Sequence, residues 1–269
     1  MKSHLGVLFR ALLLFTLLCS PQSLVAAKLY ILSAETQTEV AQKLQQTLSI
    51  SFPQSKVIQS NMNNYATLNA INKALNSDEV ISMGFDAIQT SYKRGIHVAI
   101  AMDINQSQKA WLQYHFPDKS RNTEFVLNSP MFQCQLALAK KLIMPGKNEL
   151  VGILMSNRSR YLMEDIQKSA QNLSLNIELF FISAIENPAL AMHTVLQRTQ
   201  MVIFIADDEL YDLKNLNAMI TEAKVLHKKS IGFTKTQKDI GVDAACTVTE
   251  DQIQQNLINA LNKLFTHKA

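Results

Sequence analysis

Two adjacent carboxylates, Asp207 and Asp208, follow the apolar run MVIFIA at 201–206. Acid and base residues of enzymes can occupy this position after a buried strand. Adjacent acids at a strand–helix junction also serve as helix caps, where the helix dipole stabilises their charge. We favour the cap, because the sequence shows no nucleophile, base or metal ligand in a pattern that would complete a catalytic site.

A glycine ends a second apolar run, VISMGFDAIQTSYKRG at 80–95. The pattern predicts a strand that stops at Gly84, a turn through Phe85 and Asp86, and a helix. In open α/β sheets, ligands bind outside the carboxyl ends of the strands. Gly84 therefore either lets the backbone approach a ligand or only supplies an unusual φ angle at a plain turn.

Motifs that mark common α/β enzymes are missing. The chain contains no P-loop, no Gly-x-Gly-x-x-Gly dinucleotide fingerprint and no Gly-x-Ser-x-Gly nucleophile elbow. No histidine pairs with another histidine or with a cysteine at metal-ligand spacing. We therefore expect no enzyme activity, no metal and no cofactor.

Apolar runs alternate with amphipathic segments along the chain. The strands are predicted at 29–32, 56–58, 80–83, 97–102, 124–127, 150–155, 177–182, 201–206, 230–233 and 244–248. The helices are predicted at 36–48, 67–75, 86–94, 130–144, 159–173, 188–198, 213–227 and 250–265. Residues 103–123 interrupt the alternation with a polar segment that carries Trp111, Tyr114 and Phe116, which either cover a ligand or anchor this connection.

Alternation of this kind requires parallel sheets with helices on their faces. The fold class is therefore α/β, with two Rossmann-like lobes. The first lobe is expected at 28–127 plus about 241–269, and the second at 128–240. Ser129 and Pro130 are predicted as N-cap and first residue of one helix, and Thr249 as the N-cap of the last.

The first 27 residues have the features of a cleavable secretory signal peptide. Lys2 and Arg10 precede the apolar run ALLLFTLLC, and Val25-Ala26-Ala27 fits the cleavage rule. Lipoprotein anchoring at Cys19 is not expected, since the preceding Leu18 is large. The mature chain is thus expected to be periplasmic and not membrane-spanning.

Removal of this segment lowers the formal net charge from +4 to +2, and no basic stripe remains. Nucleic-acid binding is therefore not expected. Cys134 and Cys246 remain after cleavage. They can pair in an oxidising compartment, but because they fall in different predicted lobes, two buried thiols are the favoured interpretation.

Three segments resemble the ABC-transporter substrate-binding proteins of the tryptophan/tyrosine type. They are VISMGFDAIQTSYKRGIHVAIAM at 80–102, CQLALAKKLIMPGKNELVGILMSNRSRYLMEDIQKSAQNLSLNIEL at 134–179, and MVIFIADDELYDLKNLNAMITEAKVLHKKSIGF at 201–233. The second matches a leucine-rich helix, Pro-Gly, a VGVL-like strand and an Asn-containing loop. The resemblance extends over about 28–265. DAACTVTEDQIQQNLINAL departs from the GVDYYELGRQ-like stretch, and a shortened C-terminus is expected.

The resemblance implies a periplasmic-binding-protein type I-like fold that binds a small molecule in a cleft between its lobes. Helix N-termini at the strand ends suit an anionic group, and a hinge closes the lobes. Arg158 is the strongest candidate for gripping a carboxylate, with a solvated loop arginine as the alternative. The expected ligand-binding residues are Ser33, Ala34, Gly84, Phe85, Asp86, Asp103, Ser156, Asn157, Arg158, Ser159, Asp207, Asp208 and Thr234.

Three functions are consistent with these features. The first is a periplasmic solute-binding protein, for an amino-acid-like solute, whose partner is an ABC permease or a membrane sensor. The second is a family-derived protein that binds a partner, with side chains filling its cleft. The third is a secreted α/β enzyme.

Overall fold

The computed structural model describes residues 28–53, 55–64, 69, 71, 79–143, 150–182, 187–211 and 213–266. The predicted signal peptide, almost all of the helix predicted at 67–75, and Pro145-Gly146 lie outside these residues. The described chain forms two lobes, each with a five-stranded parallel sheet. The predicted fold class, two α/β lobes with parallel sheets, is confirmed.

The first sheet has the strand order β2-β1-β3-β4-β5. Its strands are β1 (Lys28–Ser33), β2 (Lys56–Asn61), β3 (Glu79–Met83), β4 (Ile100–Ile104) and β5 (Glu124–Leu127). The helices of this part of the chain are α1 (Thr38–Ser51), α2 (Phe85–Lys93), α3 (Gln106–His115) and α4 (Pro117–Ser120).

Both faces of the central strands are covered, which is why β1 and β3 are mostly apolar. Successive residues of β1 point to opposite faces. Leu29 and Ile31 pack in one cluster with Leu48 of α1 and with Leu261. Tyr30 joins a second cluster on the other face.

The second sheet has the order β10-β9-β8-β6-β7. Its strands are β6 (Val151–Met155), β7 (Ile177–Phe181), β8 (Met201–Ile203), β9 (Lys229–Gly232) and β10 (Ala244–Ala245). The helices of this part of the chain are α5 (Phe132–Leu142), α6 (Met163–Asn172), α7 (Pro188–Arg198), α8 (Leu213–Val225), α9 (Lys235–Ile240) and α10 (Glu250–Thr266). Of these, α10 belongs to the first lobe. Val151 and Ile153 of β6 face one apolar cluster, and Leu154 faces the other.

The chain passes between the lobes more often than the sequence suggested. The first lobe consists of the described residues of Met1–Ile104, His115–Asn128 and Thr249–Ala269, and the second of Asn105–Tyr114 and Ser129–Val248. Most of α3 thus belongs to the second lobe. The second lobe also extends past residue 240, because β10 pairs in parallel with β9.

Two local predictions near residues 103–132 were wrong. The segment predicted as a polar break contains the helices α3 and α4. Ser129 is not a helix N-cap, since α5 begins at Phe132 and its N-cap is Met131. The Ser129 hydroxyl instead accepts a hydrogen bond from the backbone N–H of Gln106, at 3.2 Å.

The predicted N-cap of the last helix, Thr249, is confirmed, and it forms a capping box. The backbone N–H of Gln252 donates to Thr249 Oγ1 at 3.2 Å, and the backbone N–H of Thr249 donates to Gln252 Oε1 at 2.9 Å. These two bonds satisfy donors that a helix start leaves without intrahelical partners.

Cys134 and Cys246 form a disulfide, with their Cα atoms 6.2 Å apart. The interpretation as two free thiols was therefore wrong. It rested on placing the cysteines in different lobes, whereas both belong to the second lobe. The pairing of β10 with β9 keeps Cys246 in that lobe, where it reaches the first turns of α5.

Candidate functional site

The predicted site residues of the first lobe lie at the carboxyl ends of its strands. Ser33, the last residue of β1, is in register with Met83 of β3, and Met83 is in register with Met102 of β4. Ser33 is fully buried. Within the described chain its hydroxyl has no hydrogen-bond partner. Ala34 follows it and precedes a 3₁₀ turn at Glu35–Gln37.

Gly84 joins β3 to α2 in a backbone conformation that only glycine adopts readily, with φ +83° and ψ 152°. Its N–H donates to the carbonyl of Met102 at 2.9 Å. A Cβ atom at Gly84 would lie 2.8 Å from Gln37 Cδ and would overlap the amide oxygen of that side chain. The structure therefore accounts for this glycine by the turn and by the close packing of Gln37.

Phe85 and Asp86 form the first turn of α2, directly after Gly84. Phe85 is half-buried and Asp86 is exposed. The first N–H groups of a helix have no intrahelical acceptor. The α2 N-terminus thus presents backbone donors, together with the Asp86 carboxylate, at the strand ends of the first lobe.

Asp103 belongs to β4 and lies at a β-bulge in the pairing of β4 with β5. Its φ of +56° is left-handed. Both carboxylate oxygens accept hydrogen bonds. Gln37 Nε2 donates to Oδ2, and Asn128 Nδ2 donates to Oδ1 at 2.9 Å. Asp103 therefore connects the strand ends of β4 and β5 to the turn that follows β1.

Gln37 and Asn128 are strand-end residues that the sequence did not single out. Asn128 directly follows β5, so the rule that was applied to other strand ends could have found it. Gln37 follows β1 by four residues and carries no such signal. Only the tertiary structure brings its amide to Asp103 and Gly84.

The second lobe has a denser polar network, built around Asp207. This residue is buried, and its carboxylate accepts hydrogen bonds from Ser156, Ser159 and Glu209. The backbone N–H of Ser156 donates to Oδ2 at 3.1 Å, the Ser156 hydroxyl to Oδ1 at 3.0 Å, and the backbone N–H of Glu209 to Oδ1 at 3.1 Å. Asp207 thus fixes the loop after β6 beside the segment that follows β8.

Burial raises the pKa of Asp207 above its ordinary value. Hydrogen bonds from Ser159, Ser156 and the backbone of Glu209 oppose that shift. Nearby, burial and then the charge of Asp207 raise the pKa of Tyr211 well above its usual value. The Tyr211 hydroxyl is buried without a hydrogen-bond partner in the described chain.

The Asp208 carboxylate contacts three side-chain donors. Arg158 Nη1 lies 2.9 Å from Oδ2, Gln108 Nε2 donates to Oδ2 at 2.9 Å, and Asn105 Nδ2 donates to Oδ1 at 2.5 Å. Asn105 and Gln108 also exchange hydrogen bonds with each other's backbone N–H groups, as in a capping box at the start of α3. Asp208 therefore holds both the α3 N-terminus and the loop that carries Arg158.

The guanidinium of Arg158 forms ion pairs with carboxylates of this chain. Besides Asp208, it contacts Glu209, with Nε 3.3 Å from Oε1. A solute carboxylate that binds Arg158 must therefore compete with two internal partners. Neighbouring Asn157 is exposed, and the Ser159 hydroxyl accepts a hydrogen bond from the Ser156 N–H at 2.9 Å.

Thr234 is the N-cap of α9. Its hydroxyl accepts a hydrogen bond from the N–H of Gln237 at 3.1 Å, and Gln237 Oε1 accepts from the N–H of Thr234 at 3.1 Å. This is a complete capping box, at a helix that the sequence did not predict. The Thr234 side chain therefore has a structural role at the end of β9.

No protein-family model matches the chain, and no curated protein matches it in sequence. Solved structures do match. The ABC domain from Streptococcus pneumonia in complex with L-Trp has a TM-score of 0.55 and 16% identity, over 88% of this chain and 85% of that one. A ligand-free, open substrate-binding protein with adhesive properties from Clostridium difficile has a TM-score of 0.58 and 10% identity, over 88% and 85%.

A conserved domain protein from Vibrio cholerae is similar as well, with a TM-score of 0.55 and 15% identity over 89% of this chain and 85% of that one. The chain has a type I periplasmic-binding-protein-like fold. The structures that support this include the ABC domain and the substrate-binding protein described above. At these identities the similarity concerns the fold alone.

The described residues contain neither a metal-ion site nor a membrane-spanning helix. Across 28–266, apart from the gaps given above, no three His, Cys, Asp or Glu side chains are grouped so that they could hold a metal ion. Within the same ranges, no helix combines the length and hydropathy needed to cross a membrane.

Proposed function

We propose that the chain is a periplasmic solute-binding protein of an ABC-type uptake system, and not an enzyme, and that it binds a small amino-acid-like solute at the strand ends of its lobes. The observation that carries this is the buried Asp207 carboxylate, which fixes the loop at 156–159 beside the end of β8. A binding site benefits when its polar groups are held in place before the ligand arrives, because less ordering then opposes binding.

The charges of the second lobe suit an ammonium group. Asp207, Asp208 and Glu209 supply three carboxyl groups near one guanidinium, that of Arg158. Even with Asp207 protonated, the carboxylates outnumber this cation. An ammonium group can therefore bind here without displacing an internal ion pair.

The first lobe offers complementary groups. The Ser33 hydroxyl is buried without a partner in the described chain, although buried polar groups usually have one. The first turn of α2 adds backbone N–H donors, which suit a carboxylate. Ammonium and carboxylate groups occur together in amino acids, and one structural neighbour was solved with L-Trp.

The proposed location is the periplasm, reached through a signal peptide at 1–27. The disulfide between Cys134 and Cys246 supports an oxidising compartment, since disulfides are rare in the cytosol. The proposed partner is an ABC permease.

The function can be tested with the purified mature chain. We expect at least one amino-acid-like solute to raise the melting temperature in a thermal-shift panel, because binding to the folded state alone stabilises it. The Ser156→Ala variant should weaken that effect, whereas Gln171→Ala, at an exposed position of α6, should leave it unchanged. A panel in which no solute class shifts the melting temperature would contradict the proposal.

One observation favours a second candidate, a protein that binds a macromolecular partner. The Gln37 side chain fills the space beside Gly84, and internal carboxylates occupy Arg158. Side chains of the protein itself thus occupy part of the space at the strand ends. A negative solute panel together with capture of a periplasmic or membrane protein would support this candidate.

A further inference from the structure

A cavity of about 320 Å³ lies between the end of β7 and the helix α7 in the second lobe. Among the described residues its lining is mostly apolar and contains no ionisable side chain. The walls include Phe180, Phe181, Leu190, Ala191, Thr194 and Val195. Cavities of roughly 300–1,000 Å³ with mainly apolar walls are typical of small-molecule sites.

The apolar lining is unusually open to solvent. Phe181 is 51% exposed and Leu190 is 69% exposed. β7 is an edge strand, so no neighbouring strand covers this side of the sheet. On the inner side, Val195 belongs to the buried cluster under α7, and Arg198 lies over the Phe180 ring at 5.5 Å. The cavity thus has a packed floor and an exposed apolar rim.

The cavity adjoins the strand ends of the proposed solute site. Phe181 is in register with Met155, the last residue of β6. The N–H of Ile182 donates to the Met155 carbonyl at 2.9 Å. Ser156, which bonds Asp207, is the first residue after β6. The apolar cavity and the polar network therefore occupy neighbouring strands at the same edge of the sheet.

We propose that this cavity is an apolar subsite that takes an uncharged group of the solute, the size of a phenyl ring or a branched alkyl chain. The inference rests on the proposed solute-binding function and specifies the class of solute. An apolar group is favoured because its burial removes apolar surface of Phe181 and Leu190 from water. A charged group is disfavoured, since no side chain of the lining can pair with it.

Benzyl alcohol is a suitable probe, with glycerol as the polar control, and saturation-transfer NMR or calorimetry as the measurement. Thr194→Trp should fill the cavity from an exposed position, and Ala191→Met should fill it with a smaller and more flexible side chain. Gln171→Trp on α6 is the matched control. We expect wild type and control to bind benzyl alcohol, both cavity variants to bind at least tenfold more weakly, and glycerol not to bind.

The inference is overturned if benzyl alcohol does not bind, or if it binds equally to wild type and to either folded cavity variant. Circular dichroism and the melting temperature establish that each variant is folded. If a solute from the panel binds wild type and Thr194→Trp with equal affinity, the cavity is not a subsite for that solute. The proposed function is then unaffected. If the chain binds benzyl alcohol but no solute of the panel, the proposed function is contradicted. The apolar preference of the cavity then still stands.

Discussion

Arg158 and Asp208 form an ion pair at the carboxyl ends of β6 and β8, with Nη1 2.9 Å from Oδ2. The same carboxylate accepts hydrogen bonds from Asn105 and Gln108 at the start of α3. Asp208 is thus the point at which three separate segments of the second lobe meet. The arginine expected to grip a solute is, in the structure, a partner of this carboxylate.

Replacing Asp208 with Asn should therefore loosen the α3 N-terminus. The change weakens three charge-assisted contacts, but because the side chain is half-exposed we expect a loss of only about 1 kcal/mol in the free energy of unfolding. Urea denaturation gives the value. Glu39→Gln, which breaks the exposed pair with Lys43, is the control and should lower stability less than Asp208→Asn does. Equal effects of the two changes would contradict the assigned role.

Asp207 should make stability depend on pH. Its folded-state pKa is raised from the ordinary value of 3.8, so the folded state binds the proton more tightly than the unfolded state. The associated stability is present below pH 3.8 and is lost as pH rises through the raised folded-state pKa.

The corresponding variant is Asp207→Asn. It should lack this component of the pH dependence, although it is destabilised at all pH values because an amide group replaces one acceptor of the Ser156 bonds. Thermal unfolding between pH 3 and 7 supplies both curves. Curves of identical shape for wild type and variant would count against a raised pKa.

Gly84→Ala tests the packing of Gln37 against the backbone. Gly95 is the matched control, since its φ is +78° and no atom lies within 4 Å of an added Cβ. We expect Gly95→Ala to cost about 1 kcal/mol through its φ angle, and Gly84→Ala about 2–3 kcal/mol because its φ and ψ suit only glycine and because Gln37 must also move. Adding Gln37→Ala to Gly84→Ala should recover part of the difference in chemical denaturation. Equal costs at the two glycines would show that Gln37 does not constrain Gly84.

Removing the disulfide should destabilise the second lobe. The bridge closes a loop with a sequence separation of 112 residues. Loops of this length correspond to a loss of about 2–5 kcal/mol when the bridge is broken. We expect Cys134→Ser/Cys246→Ser to unfold at lower urea concentration than wild type, and a reducing agent to affect only wild type. A reductant that leaves the wild-type transition in place would argue against the bridge.

The sheets were predictable from the sequence, because strands buried on both faces must be apolar throughout. The helix α3 was not, since polar residues form part of its buried surface. Gln106 and Ser107 are buried, and the Ser107 hydroxyl donates to the Ala206 carbonyl at 2.5 Å. Such a helix has little apolar periodicity. Its only readable signal was the spacing of Asn105 and Gln108, which form its capping box.

The positions of polar residues at the strand ends were predictable, but their contacts were not. Ser156, Asp103 and Asp207 were found because they follow strands. Their partners come from distant parts of the chain, such as Gln37 for Asp103. The charge balance around Arg158 likewise depends on which carboxylates the fold brings to it. Sequence spacing carries no information on either point.

Hydrogen–deuterium exchange with a solute identified in the panel tests directly whether the solute binds at the strand ends. We predict slower exchange on binding at 33–37 and 84–88 in the first lobe and at 156–159 and 206–209 in the second. Protection confined to other surfaces of the lobes, with these four segments unchanged at saturating solute, would contradict it.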